Sequence, residues 1–135
     1  MTQDEILAMT PGRELDVRVA EDVMGCRVVK DEIFGDTEGY KLFRDNVPAS
    51  RRLDNQVFGP LRRYSQDMAA AREVIEKMDL DNFSVRVEFD HFKEEWEAEF
   101  VDFDGRRKYP VVRAASAAEA VSKAALLTVL EVKNG

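Results

Sequence analysis

Residues 83–89 read FSVRVEF and alternate apolar with polar side chains without a break. Trp96, Ala98 and Phe100 repeat the alternation after a polar turn, and residues 109–111 repeat it after the turn at residues 104–105. A period of two is typical of half-buried strands, and connections this short predict antiparallel neighbours. The apolar helix predicted at residues 117–132 is the natural cover for the sheet. This stretch therefore predicts an α+β fold, an antiparallel sheet packed with about three helices.

The sequence before this stretch indicates a short helical turn, two helices, a pair of strands and one irregular segment. A capping box from Thr2 to Glu5 predicts a short helical turn, and a longer helix ends at Gly25. Residues 26–30 and 40–43 have the composition of paired strands, whereas residues 44–63 show no periodicity. Ser65 is predicted to cap the next helix. We expect a single domain over residues 1–135, with an inserted loop or hairpin region at residues 33–63.

Composition indicates a globular chain of 135 residues, 44% apolar and 35% charged. No apolar run approaches the ~20 residues that span a bilayer, and the acidic start is unlike a signal peptide. The single cysteine, Cys26, rules out an internal disulfide and fits a reducing compartment. We therefore expect a cytoplasmic protein that does not associate with membranes.

The net charge of −7 is unevenly distributed along the chain. Residues 88–104 hold eight acids against one base, whereas residues 44–64 hold five arginines against two aspartates. An overall negative charge argues against direct DNA binding, because neutralisation of phosphates drives that affinity. The protein is expected to be electrostatically polarised.

Residues that would form a reaction centre are scarce. His91 is the only histidine and falls in a polar turn, which is typical of a solvated residue. The chain has no second histidine or cysteine pair for a metal and no glycine-rich phosphate loop. We therefore expect a binding protein and not an enzyme, with no catalytic residue, metal or cofactor.

The arginine-rich segment is the first candidate binding site. Arginine forks suit phosphate, a tyrosine offers a stacking face, and a helix N-terminus favours an anion. These features predict a site for a small, nucleotide-like anion. Its candidate residues are Arg51, Arg52, Arg62, Arg63, Tyr64 and Ser65. The alternative is that these arginines only balance the acidic sheet, and the sequence leaves both open.

The acidic strands and the last helix are the second candidate. Glu97 and Glu99 share one sheet face, with Glu88 on the neighbouring strand, and such a face either is merely solvated or docks onto a basic protein. On a helical wheel, Leu126 and Leu130 fall on the solvent side of the last helix with Glu119 and Lys123. This pair of leucines favours a self-association surface and hence a homo-oligomer.

Three segments of the chain resemble one known family, the phage ABA sandwich domain of small phage and prophage proteins. They are residues 10–16 (TPGRELD) with 20–25, residues 64–71 (YSQDMAAA) with 74–78, and residues 116–130, especially AALL at 124–127. The family usually has tryptophan where Cys26 and Arg72 stand, and it lacks the insertion at residues 33–63. The resemblance implies a phage gene product with helices on an antiparallel sheet, and it carries no established activity.

A phage origin gives the two binding hypotheses a biological setting. The first is a non-enzymatic counter-defence protein of the bacterial cytoplasm that sequesters a nucleotide-like anion through the arginines. The alternatives are an acidic protein that inhibits a host defence enzyme, or a prophage structural module without a dedicated ligand.

Overall fold

A computed structural model describes residues 2–30, 40–44, 57–104 and 107–134. These ranges contain four α-helices and six strands. The helices are α1 (Gln3–Ala8), α2 (Arg13–Arg18), which continues as a π-helical turn at Val19–Val23, α3 (Met68–Leu80) and α4 (Ala117–Asn134). The strands are β1 (Cys26–Lys30), β2 (Tyr40–Arg44), β3 (Val57–Pro60), β4 (Phe83–Asp90), β5 (Glu95–Asp102) and β6 (Val112–Ala114).

Two antiparallel sheets, ordered β1-β2-β3 and β4-β5-β6, make up the strand layers of the described chain. In the second sheet Val85 lies opposite Phe100 and Val87 opposite Ala98, which confirms the alternation in the sequence. The predicted pairing of residues 26–30 with 40–43 is also confirmed. Residues 31–39, between these two strands, and residues 45–56 of the predicted irregular segment lie outside the described residues. The end of that segment is not irregular, because Val57–Pro60 forms β3.

The third strand of the predicted sheet is shorter and later than the pattern indicated. Tyr109 is buried and donates its N–H to the carbonyl of Phe100, but Val111 is exposed and the regular strand is Val112–Ala114. Pro110 has no N–H to add to a strand ladder, which explains the interruption. Alternation resumes after the proline with Val112 and Ala114 buried.

Helix α4 forms the centre of the molecule. All nine residues from 120 to 128 are buried, among them Val121, Ala124 and Leu127. One side of α4 packs on β5 and β6, and its other sides contact α1, α3 and the π-helical turn. Nine consecutive buried residues include every side of a helix, so other elements cover this part of α4 all round. The α+β sandwich predicted from the sequence is therefore confirmed.

Candidate functional site

Tyr64 and Ser65, predicted to line an anion site, are core residues. Both are buried, and the hydroxyl of Ser122 in α4 donates to the carbonyl of Tyr64 at 2.9 Å. Burial raises the pKa of the Tyr64 phenol well above its ordinary value. The expectation that Tyr64 offers an exposed stacking face is wrong, because α4 covers the segment.

Ser65 belongs to a buried hydrogen-bond cluster. Its backbone N–H and its hydroxyl both donate to Oδ1 of Asp16, at 2.8 and 2.6 Å, and its hydroxyl accepts from the N–H of Gly12 at 3.0 Å. Burial raises the pKa of Asp16, and the hydrogen bonds from Ser65 and the charge of Arg63 offset this only in part. The cluster ties the start of α2 to the segment before α3, so the role of Ser65 is structural.

The N-terminus of α3 already carries an acid. The helix begins at Met68, and Asp67 caps it by accepting from the N–H of Ala69 at 2.9 Å. Ser65 is therefore not the cap, contrary to the sequence-based prediction. This N-cap carboxylate takes up one of the free N–H groups that an anion would use and adds negative charge at the helix start.

The arginines of the predicted site are only partly described. The side chains of Arg62 and Arg63 are exposed, and Nε of Arg62 contacts Oε2 of Glu73 at 3.1 Å. Arg51 and Arg52 lie outside the described residues. Within the described chain, the structure thus keeps two exposed arginines of the predicted site and removes Tyr64 and Ser65 from it.

The polar face of the second sheet carries a charge network centred on Arg86. Its Nε lies 2.6 Å from Glu99, and its Nη1 lies 2.9 Å from Glu88 and 3.7 Å from Glu97. Arg113 on β6 contacts Glu97 at 2.9 Å. The side chains of Glu97 and Glu99 are only 16% and 12% exposed. Three carboxylates thus meet two guanidinium groups, so the predicted acidic face is largely neutralised at its centre.

The hairpin tip, defined here as residues 88–95, is the exposed acidic surface that remains. It carries four acids against one base, which are Glu88, Asp90, Glu94, Glu95 and Lys93. Phe92 at its apex is 100% exposed. His91 beside it is exposed and packs edge-on against Phe89 at 5.0 Å. The tip therefore combines negative charge with a fully exposed aromatic ring.

Hydrogen bonds within the turn fix the position of Phe92. Oδ1 of Asp90 accepts from the backbone N–H groups of Lys93, at 3.2 Å, and Phe92, at 2.9 Å. These bonds lower the pKa of Asp90, which keeps its carboxyl charged. The sequence analysis missed this site, although an aspartate at the start of a turn with an aromatic residue inside it was a usable signal.

The expected self-association face of α4 is covered by the chain itself. Leu126 is 2% exposed and Leu130 is half-buried against the core. Lys123, 5% exposed, contacts Oε2 of Glu119 at 2.7 Å and donates to the carbonyl of Leu7 at 3.0 Å. Helix α1 thus packs on the face that the helical wheel assigned to solvent, and the prediction of an exposed leucine pair is wrong.

Among the described residues, no three histidine, cysteine or carboxylate side chains stand close enough to hold a metal ion. No helix of the described chain combines the length and the apolar character needed to cross a bilayer.

Comparisons with known proteins agree with the architecture. A 2.0 Å crystal structure of a phage protein from Bacillus cereus ATCC 14579 is similar, with a TM-score of 0.61 and 24% sequence identity. The match covers 90% of this chain and 93% of that one, and at this identity it shows the fold alone. A comparison with curated proteins finds no match. The profile of the phage ABA sandwich domain matches residues 18–126. Since this match extends over most of the chain, the protein belongs to the phage ABA sandwich domain family.

Proposed function

We propose that this chain is a non-enzymatic phage accessory protein that binds a basic surface of a host defence enzyme through its hairpin tip. The observation that carries the proposal is the fully exposed ring of Phe92 on a turn fixed by Asp90. Aromatic side chains that enter a pocket of the partner supply much of the binding energy of many protein interfaces. A preorganised turn loses little conformational entropy on binding, which favours affinity.

The charges around Phe92 support a basic partner. Asp90, Glu94 and Glu95 lie within three residues of Phe92 along the chain, and Lys93 is the one lysine among them. Such a rim accelerates association with a positive surface, and the effect weakens as salt is added. The neutralised centre of the sheet, at Arg86, contributes less to this field. We therefore place the partner surface at the tip, around Asp90, Glu94 and Glu95. Glu88 is the one predicted acidic residue at its border, and it is paired with Arg86.

The test compares three variants against a defence enzyme purified from the bacterial host. Phe92→Ala is expected to weaken binding about tenfold or more, because the aromatic anchor is lost. Glu94→Lys with Glu95→Lys is expected to slow association and to reduce its salt dependence. Phe103→Ala is the matched control, because Phe103 is also an exposed phenylalanine in a turn between strands. Equal affinity of Phe92→Ala and the wild type would refute the proposal.

A second candidate function is the sequestration of a nucleotide-like anion. Its support is the adjacent, exposed pair Arg62 and Arg63, next to the segment that contains Arg51 and Arg52. The protein would be purified from cells with and without an active nucleotide-signalling defence, heat-denatured, and its supernatant analysed by mass spectrometry. A stoichiometric nucleotide that is lost in Arg62→Ala with Arg63→Ala, but kept in Arg18→Ala with Arg72→Ala, would favour this candidate. Empty supernatants would exclude it.

A further inference from the structure

Strand β4 forms one edge of the second sheet. It pairs with β5 along all eight residues from Phe83 to Asp90, in continuous register and without a bulge. Among the described strands, none pairs with its other side. A straight edge of this length exposes a row of backbone donors and acceptors that another strand can use.

The opposite edge of the same sheet is protected. Strand β6 has only three residues, Val112–Ala114, and Pro110 stands just before it. Short strands and nearby prolines are common means of preventing edge-to-edge pairing. Residues 83–90 contain neither a proline nor a lysine. The two edges of this sheet therefore differ in a way that suits pairing at β4 alone.

We infer that β4 pairs antiparallel with β4 of a second copy of this chain, so that two three-stranded sheets become one continuous sheet. A symmetric pair can be centred on any residue of the strand, and directly opposed side chains lie on the same face. Centring on Val87 places Arg86 opposite Glu88 of the second copy, and the symmetry repeats this pair. Ser84 then lies opposite Asp90, and Val87 opposite its own equivalent.

Neighbouring registers are less favourable. Centring on Arg86 brings two arginines together, and centring on Glu88 brings two glutamates together, and like charges directly opposite destabilise a sheet. A register shifted by half a step would place apolar side chains of one copy directly opposite polar side chains of the other, so the apolar face of one sheet would continue into the polar face of the other. Charge and alternation therefore select Val87 as the centre.

Apolar surface beside β4 supports the same arrangement. A cleft of about 570 Å³ lies between α3 and β4 and is lined by residues that include Ile75, Leu80 and Val85. Leu80 is 78% exposed, and Phe89 is also exposed. In the inferred register Phe89 of the second copy lies opposite Val85, at the wall of this cleft. Pairing would thus cover apolar side chains on the helix side of the sheet as well as complete the backbone hydrogen bonds.

Sedimentation velocity over a range of concentrations tests the inference. The wild type is expected to be a dimer that dissociates on dilution. Glu88→Arg is expected to shift it to the monomer, since it places two arginines opposite each other. Glu21→Arg makes the same charge change at an exposed residue outside β4 and is expected to leave the dimer intact. Melting temperatures would establish that both variants are folded.

Disulfide cross-linking tests the register independently of these charges. In a Cys26→Ala background, Val87→Cys is expected to cross-link on mild oxidation, because centrally opposed residues lie about 5 Å apart between Cα atoms. Phe89→Cys lies on the same face of the sheet as Val87, but in this register it is opposite Val85 of the second copy and not opposite residue 89. It is therefore expected to form no cross-link. A wild type that is monomeric at all concentrations would overturn the inference. A strand of another protein would then be the alternative partner for the β4 edge. A dimer that resists Glu88→Arg and cross-links equally at both positions would overturn it too.

Discussion

Ser65 donates two hydrogen bonds, from its N–H and its hydroxyl, to the same oxygen of Asp16. The two residues are 49 positions apart and both are buried, so the bonds join the N-terminal helices to the segment before α3. When a buried carboxylate accepts a hydrogen bond from a backbone N–H, removal of the carboxylate leaves that N–H unpaired. This relationship makes Asp16 a sensitive position for stability.

Replacement of Asp16 is expected to show which part of the side chain matters. Asp16→Ala leaves the N–H and the hydroxyl of Ser65 without their acceptor and is expected to lower the free energy of unfolding by about 1–3 kcal/mol. Asp16→Asn keeps an acceptor oxygen in place and is expected to lower it less. Urea denaturation of the three proteins at neutral pH measures both differences. Equal losses in the two variants would contradict a role for the acceptor.

The stability of the wild type relative to Asp16→Asn is expected to depend on pH. Burial raises the folded-state pKa of Asp16 above its ordinary value of 3.8. The contribution of this group is therefore fully present below the unfolded pKa and is lost as the pH rises through the folded pKa. When unfolding free energies are measured from acidic to neutral pH, the value for the wild type should fall relative to that for Asp16→Asn as the pH increases. A constant difference would show that the pKa is not raised.

Lys123 is expected to hold α1 on α4. Its ammonium group contacts Glu119 and the carbonyl of Leu7, and it is almost wholly buried. Lys123→Ala leaves a mostly buried carboxylate unpaired, and breaking such pairs lowers stability by about 3–5 kcal/mol. Hydrogen exchange should then accelerate in α1 before the rest of the protein. Lys133→Ala, at an exposed position of the same helix, serves as the control and should change neither quantity.

Arg86 is expected to be more sensitive than Arg113 to replacement by lysine. Arg86 contacts Glu99 through Nε and Glu88 through Nη1, a forked geometry that an ammonium group cannot reproduce. We expect Arg86→Lys to lower the unfolding free energy by about 1 kcal/mol and Arg113→Lys by less, because Arg113 contacts Glu97 alone within the network. Thermal denaturation at low and high salt measures the difference. An equal effect of the two substitutions would show that the fork is not important.

The sheet was predictable because its signal is local. Alternation within residues 83–89 and around Trp96 and Phe100 depends only on neighbours along the strand, so pattern and structure agree. The predicted cap at Thr2, which accepts from the N–H of Glu5, likewise lies in sequence beside the helix that it starts.

Most of the predictions that the structure contradicts depend on contacts between residues that are distant in the sequence. A helical wheel for α4 uses only the sequence of that helix, so it cannot show that Leu126 is buried or that Lys123 contacts α1. The side chain of Ser65 has the chemistry of a helix cap, but its partner Asp16 is on another element, and Asp67 takes the capping role instead. Phe92 was overlooked because an aromatic residue in a turn has no periodicity by which its exposure can be judged.

The burial of residues 120–128 of α4 also has a consequence for the order of events during synthesis on the ribosome. Lys123 reaches the carbonyl of Leu7 from 116 residues away, and Ser122 reaches that of Tyr64 from 58 residues away. Contacts of such high sequence separation form slowly, because long loops must close first. The apolar side chains of β4 and β5 are translated before the helix that covers them. A nascent chain that stalls ahead of Ala117 would therefore present an uncovered sheet to chaperones, and the emergence of α4 closes the core.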